Sequence, residues 1–256
     1  MMLAIPPLDR AALLLDLDGT LLDIAPRPDA VVVPPGLIDD LHALRWLAGD
    51  AVAVVTGRLV ETVDALLGDA VFAVAGEHGG AIRHAPGRSV ERPPLPSPPG
   101  EWLVAAERLA LAHPGTLLEH KPRGFALHFR AAPLAGPALH AGLLRLLAGS
   151  TAFEVLPAHM LWEVRPRATD KGKAVVALLA QPPFYGRLPV FVGDDVTDED
   201  GITAAVAMGG VGLRVKEAFG DAAGVRAWLK ATAANRCWPS ADRRSGAERG
   251  RTSRGM

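Results

Sequence analysis

The sequence predicts an α/β fold, with a parallel-sheet core interrupted by a smaller α+β unit. Three observations lead there. Apolar runs end abruptly in polar clusters at Asp16, Thr56 and Gly193; segments of helical spacing alternate with those runs; and the middle of the chain switches to paired stretches of polar–apolar alternation. The chain has 256 residues, 49% of them apolar, enough for a large core with a smaller inserted unit.

In chain order, Ala12–Leu15 runs into Asp16-Leu17-Asp18-Gly19-Thr20, and Ala51–Val55 into Thr56-Gly57-Arg58. Val71–Ala75 leads to Glu77-His78-Gly79-Gly80, and Val190–Val192 to Gly193-Asp194-Asp195. Short, continuously apolar runs read as strands buried on both faces, hence as a parallel sheet covered by helices on each side. Helical spacing falls at Leu37–Leu47, Leu59–Leu67, Lys173–Leu179 and Asp198–Ala207. Ligands of such sheets bind beyond the carboxyl ends of the strands, so the polar clusters should converge in space.

The middle begins after the proline-rich stretch Pro93–Pro99. Trp102–Ala112 and Leu134–Leu147 have helical spacing; Thr116–Lys121 with Phe125–Arg130, and Phe153–Pro157 with Met160–Arg165, read as two strand pairs. This order predicts an antiparallel sheet with two helices on one face, inserted as a cap. The expected division is a core of 1–95 and 166–234, a cap of 96–165, and a disordered Arg/Ser/Gly-rich tail of 235–256.

Charge and composition narrow the function. A formal net charge of -1 argues against nucleic-acid or membrane-surface binding spread over the whole surface. The single cysteine, Cys237, leaves no disulfide within the chain and suits a reducing cytoplasm. Met1–Arg10 lacks a signal-peptide pattern, and no apolar run reaches the ~20 residues of a membrane span.

The clusters carry the chemistry. Asp16 and Asp18 leave a strand end together, and Gly19 permits the sharp exit. Such oxygens suit Mg²⁺, which takes one or two protein carboxylates beside a substrate phosphate, and an aspartate beside the metal can attack phosphorus. Gly193 to Asp200 crowds five carboxylates into eight residues. That repulsion calls for a cation at Asp194, while some of Asp198, Glu199 and Asp200 start the next helix. Thr56, Gly57 and Arg58 offer a hydroxyl and backbone N–H groups to a phosphate oxygen, or simply cap a helix. Lys171 can place positive charge on a transferring phosphoryl group. The loop around His78 is a substrate-binding loop or a plain turn. Arg83 and Arg88 read as surface charges.

Taken together, Asp-x-Asp-Gly-Thr, Thr-Gly-Arg, the lysine and Gly-Asp-Asp-x-x-Asp resemble the haloacid dehalogenase phosphohydrolase superfamily, over residues 13 to about 230. The resemblance implies a Rossmann-like core and a two-step mechanism. Asp16 would be the nucleophile that forms an aspartyl-phosphate, and Asp18 the acid and then the base. Mg²⁺ would be held by Asp16, Asp194 and the Asp18 carbonyl, with Asp195 and Asp198 behind them or bound through water. Thr56 and Lys171 would hold the phosphate. Within the superfamily, Gly115-Thr116-Leu117-Leu118-Glu119-His120-Lys121, His128-Phe129-Arg130, Trp162-Glu163-Val164-Arg165-Pro166 and Gly193 to Asp200 look like trehalose-6-phosphate phosphatases. That family usually has tyrosine where Phe129 stands, and often a Gly-Lys pair at Ala158-His159.

Period-two alternation puts Glu119 with Lys121, His128 with Arg130, and Glu163 with Arg165 on common strand faces. Such a face is either ordinary wet surface or a polar roof over a hydroxyl-rich substrate; motif and alternation together favour the roof. The function expected is hydrolysis of trehalose 6-phosphate. The alternatives are sucrose 6-phosphate or a glucosyl- or mannosylglycerate phosphate as substrate and, more remotely, an inactive sugar-phosphate sensor.

Overall fold

The computed structural model describes residues 5–25, 30–68 and 72–234. Val71, at the head of one expected strand, lies outside the described residues, as does the expected disordered tail 235–256 with Cys237.

The first part of the chain forms Ala11–Leu15 (β1), Leu37–Leu47 (α1), Val52–Val55 (β2), Val60–Leu67 (α2), Ala73–Gly76 (β3) and Ala81–Arg83 (β4). The middle forms Gly100–Leu111 (α3), Leu117–Lys121 (β5), Gly124–His128 (β6), Gly136–Leu146 (α4), Phe153–Ala158 (β7) and Leu161–Pro166 (β8). The last part forms Lys171–Leu179 (α5), Leu188–Gly193 (β9), Glu199–Ala207 (α6), Val211–Arg214 (β10), Val215–Ala218 (α7) and Ala222–Ala234 (α8).

One six-stranded sheet runs β10-β9-β1-β2-β3-β4, parallel except for β4 at its edge. β1 is buried along its whole length because its alternate side chains enter two different cores. Leu13 and Leu15 pack with Leu41, Leu44, Val63 and Leu229 from α1, α2 and α8. Ala12 and Leu14 pack with Val175, Leu178 and Ile202 from α5 and α6. This two-sided burial explains why the run is apolar without alternation.

The middle segment forms a separate antiparallel sheet in the order β5-β6-β8-β7. Phe125, Leu127 and Val164 on one face pack against Ala106 of α3 and Leu139 and Leu143 of α4. The opposite face is not left wet. His128, Glu163 and Arg165 are buried there, because this face lies against the carboxyl ends of the parallel strands.

Two features depart from expectation. β4, β10, α7 and α8 lie outside the expected elements; the first three are short, and α8 buries Ala222, Val225, Leu229 and Ala233 at helical spacing. Arg83 is not a surface charge. It is buried in β4, donates two hydrogen bonds to Asp64 of α2 (2.7 and 2.6 Å) and reaches the Phe72 carbonyl, so its charge is neutralised inside. Among the described residues no helix is long and apolar enough to cross a membrane.

Candidate active site

The site begins where β1 ends. The Asp16 N–H donates to the Val192 carbonyl of β9 (2.9 Å), so the two central strands stay in step to their last residues and Asp194 arrives beside Asp16. The chain then turns through Gly19 at φ 80°. A Cβ on Gly19 would lie 2.1 Å from Asp194 Oδ2, so only glycine lets the two acidic loops approach this closely. Lys171, at the start of α5, places Nζ 2.6 Å from Asp16 Oδ1 and 2.6 Å from Asp198 Oδ1. Asp198 is fully buried, and its other oxygen accepts from the backbone N–H groups of Asp194 (3.0 Å) and Asp195 (2.9 Å). Asp195 caps the short 3-10 turn Val196–Asp198. Asp198 thus shapes the acidic loop from beneath, while Glu199, which pairs with Arg214, and exposed Asp200 face away.

The charges are unevenly satisfied. Burial, then Asp198, pushes the Asp16 carboxyl well above its ordinary range, and Lys171 opposes both. Partial burial, then Asp198 and Asp195, pushes Asp194 up to about 6. Burial alone would lower the Lys171 pKa, but Asp16 and Asp198 outweigh it and hold the ammonium firmly charged. One lysine therefore serves a surplus of negative charge. Asp16, Asp194 and Asp198 offer oxygens within 4.8 Å of one another. A hard, all-oxygen donor set with excess negative charge fits Mg²⁺.

Arg58 stands beside this cluster and donates to both oxygens of Asp18 (2.6 and 2.7 Å); its own N–H reaches Thr56 Oγ1 (3.2 Å). Across the cavity stand residues of the antiparallel sheet. Lys121 Nζ donates to Glu163 Oε1 (2.8 Å) and to the Gly57 carbonyl (3.3 Å), and His78 Nε2 is 3.2 Å from Glu163 Oε2. His128 Nε2 is 2.8 Å from Glu119 Oε2. Burial opposes ionisation of Glu163, yet Lys121 and His78 hold its carboxyl far below the ordinary range. Burial acts likewise on Glu119 and is outweighed by the His128 hydrogen bond. Both roof carboxylates are thus acceptors only.

Asp16, Asp18, Thr56, Gly57, Arg58, His78 and Lys171 line one cavity with Glu119, Lys121, His128, Arg130, Glu163, Asp194 and Asp195. Asp198 alone of the expected residues lies behind the wall. Arg130 sits at the rim, donating to the Ala25 and His159 carbonyls, and Ala158 and His159 line the cavity where the sequence departs from the expected Gly-Lys pair. Phe129 points away and stacks on Trp162. Arg165 is drawn off to Glu154 (3.3 Å). Thr20 had no assigned role. It is fully buried, with its hydroxyl 3.3 Å from both Asp16 Oδ2 and Asp194 Oδ1. Its place in Asp-x-Asp-Gly-Thr was the available signal.

The fold is shared with the C-terminal domain of C. albicans trehalose-6-phosphate phosphatase, at a TM-score of 0.75 and 20% identity over 88% of this chain and 92% of that one. This is the architecture implied by the motifs that resemble the haloacid dehalogenase phosphohydrolases. Sequence comparison narrows the class. The trehalose-phosphatase family model matches residues 14–217. The Escherichia coli (strain K12) trehalose-6-phosphate phosphatase is 36% identical over 202 residues, 78% of this chain and 75% of that protein. A "Probable trehalose-phosphate phosphatase" of Sinorhizobium fredii (strain NBRC 101917 / NGR234) is 39% identical over 212 residues, 81% of this chain and 78% of that protein. The chain belongs to the trehalose-phosphatase family.

Proposed function

We propose that the chain hydrolyses trehalose 6-phosphate to trehalose and phosphate, with residues 96–165 acting as a cap whose polar face receives the sugar. The observation that carries this reading is the juxtaposition of two unlike halves in one cavity. An ionic cluster of Asp16, Lys171 and Asp194 faces a roof of hydroxyl-binding groups, Glu119, His128 and Glu163. Family membership supports the same substrate.

Asp16 attacks phosphorus with one carboxylate oxygen, and the bond from phosphorus to the sugar oxygen breaks. Asp18 gives that oxygen a proton. Water then attacks phosphorus, Asp18 takes the proton it loses, and the bond to Asp16 breaks to release phosphate. The pair between Asp18 and Arg58 must open at one oxygen for these transfers. Lys171 and Thr56 hold the phosphoryl oxygens. Asp16, Asp194 and the Asp18 carbonyl would hold Mg²⁺, which when bound would neutralise charge on the transferring group. Asp195 and Asp198 position these ligands. The neutral composition and single cysteine fit a cytoplasmic enzyme acting on a small molecule.

Phosphate release from a panel of sugar phosphates with Mg²⁺ tests the assignment. Trehalose 6-phosphate should give the highest kcat/KM. Preference for sucrose 6-phosphate or a glycosylglycerate phosphate would overturn the sugar assignment.

A further inference from the structure

His78 belongs to the loops of the parallel sheet, yet its side-chain partner is on the antiparallel one. Its Nε2 lies 3.2 Å from Glu163 Oε2, and both side chains are almost fully buried. The backbone builds this placement. Glu77 and His78 hold φ angles of 54° and 53° in the turn after β3, a left-handed conformation that side-chain-bearing residues rarely adopt. The His78 N–H donates to the Thr56 carbonyl (3.0 Å) and the Glu77 N–H to the Arg58 carbonyl (2.9 Å). The turn is thereby sewn to the Thr56–Arg58 loop. The ring then seats on Gly57 so closely that a Cβ there would lie 2.5 Å from Nε2.

Glu163 therefore receives one donor on each oxygen, His78 on Oε2 and Lys121 on Oε1, and Lys121 also grips the Gly57 carbonyl. Facing a carboxylate, Nε2 must carry a proton. Burial lowers the His78 pKa, so the neutral Nε2–H tautomer is the form that fits.

We infer that His78 is a positioning residue, which pins one oxygen of Glu163 so that its remaining lone pairs face the sugar hydroxyls. Hydroxyl recognition by the roof then depends on the loop that carries Thr56. His78 acts through Glu163 rather than on the sugar. The inference rests on the reading of the cavity as a sugar-phosphate site.

The test is a double-mutant cycle of His78→Ala and Glu163→Ala on the preferred sugar phosphate, with an aryl phosphate as reference. His78→Ala should lower kcat/KM for the sugar ester roughly tenfold, mainly through KM, and less for the aryl ester. In the Glu163→Ala background it should add almost nothing. His78→Gln, whose amide N–H can occupy the Nε2 position, should regain most of the loss. His78→Phe keeps the ring and removes the donor, and replaces the alanine variant should that fail to fold. Multiplicative losses in the double variant, or glutamine no better than alanine, overturn the inference. If the panel prefers a different sugar phosphate, only the sugar assignment falls, and the cycle run on that ester still decides the role of His78. If no sugar phosphate is hydrolysed, both readings fall.

Discussion

Asp16 is buried among like charges and kept serviceable by one lysine. Burial and Asp198 favour its protonated form, while the ammonium of Lys171 at 2.6 Å favours the carboxylate that the proposed attack requires. A neutral amide oxygen is too poor a nucleophile to attack phosphorus. Asp16→Asn should therefore show no turnover above background and trap no covalent phosphoenzyme; substantial activity, with reversion by deamidation excluded, would remove the aspartate mechanism. Gly19 makes a second prediction at this scale. In Gly19→Ala a methyl group must displace the Asp194 carboxylate, 2.1 Å from the ideal Cβ, and the residue must also hold φ 80°. Strain of this kind costs of order 1–3 kcal/mol. The variant should need more Mg²⁺ for half-maximal activity; a wild-type requirement would show that Asp194 does not hold the metal.

At the level of elements, β6 decides what its neighbours can do. Its cavity-facing positions are Gly124, Ala126 and His128, and the small residues stand opposite Lys121, Glu119 and Glu163. With no bulk between them, Lys121 of β5 and Glu163 of β8 meet across the middle strand. If Glu119, His128 and Glu163 bind hydroxyls, each truncation to alanine should cost ~1–3 kcal/mol, roughly ten- to a hundredfold in kcat/KM for the sugar phosphate. An aryl phosphate too small to reach the roof should lose much less. The ratio of the two substrates is the measurement; a ratio unchanged in all three variants would make this face ordinary surface. The edge strand β4 yields a stability prediction. Asp64→Ala strands the buried Arg83 guanidinium, leaving it only the Phe72 carbonyl. A loss of about 3 kcal/mol should appear as a lower denaturation midpoint.

Across the whole molecule, the acidic cluster comes from the first and last parts of the chain and the roof from the middle, and the two meet over one cavity. The acidic half holds more carboxylates than its lysine and arginine can neutralise, so metal removal should be felt at once. A chelator should abolish phosphate release and added Mg²⁺ restore it. Ca²⁺, which prefers more ligands and looser geometry, should restore it poorly. Full activity in excess chelator would defeat the metal assignment.

Strand positions, the acidic motifs and the alternation of β5 and β8 were legible in the sequence because each is a local property. Apolar packing on both faces leaves an unbroken apolar run, as in Ala12–Leu15, and an apolar core on one face with a polar cavity on the other leaves a period of two, as in Trp162 and Val164 against Glu163 and Arg165. The partners of the buried charges were not legible. Arg83 reads as surface until α2 brings Asp64 beside it, and nothing local in the sequence shows that the Arg58 side chain closes on Asp18. His78 was balanced between a turn and a ligand, while its partner Glu163 stands 85 residues away on another sheet. A one-dimensional pattern records how much water a residue sees from neighbours along its own strand or helix. Which charge meets which is set by sheet order and by the close approach of the Asp194 and His78 side chains to the backbone at Gly19 and Gly57, and only the tertiary structure decides that.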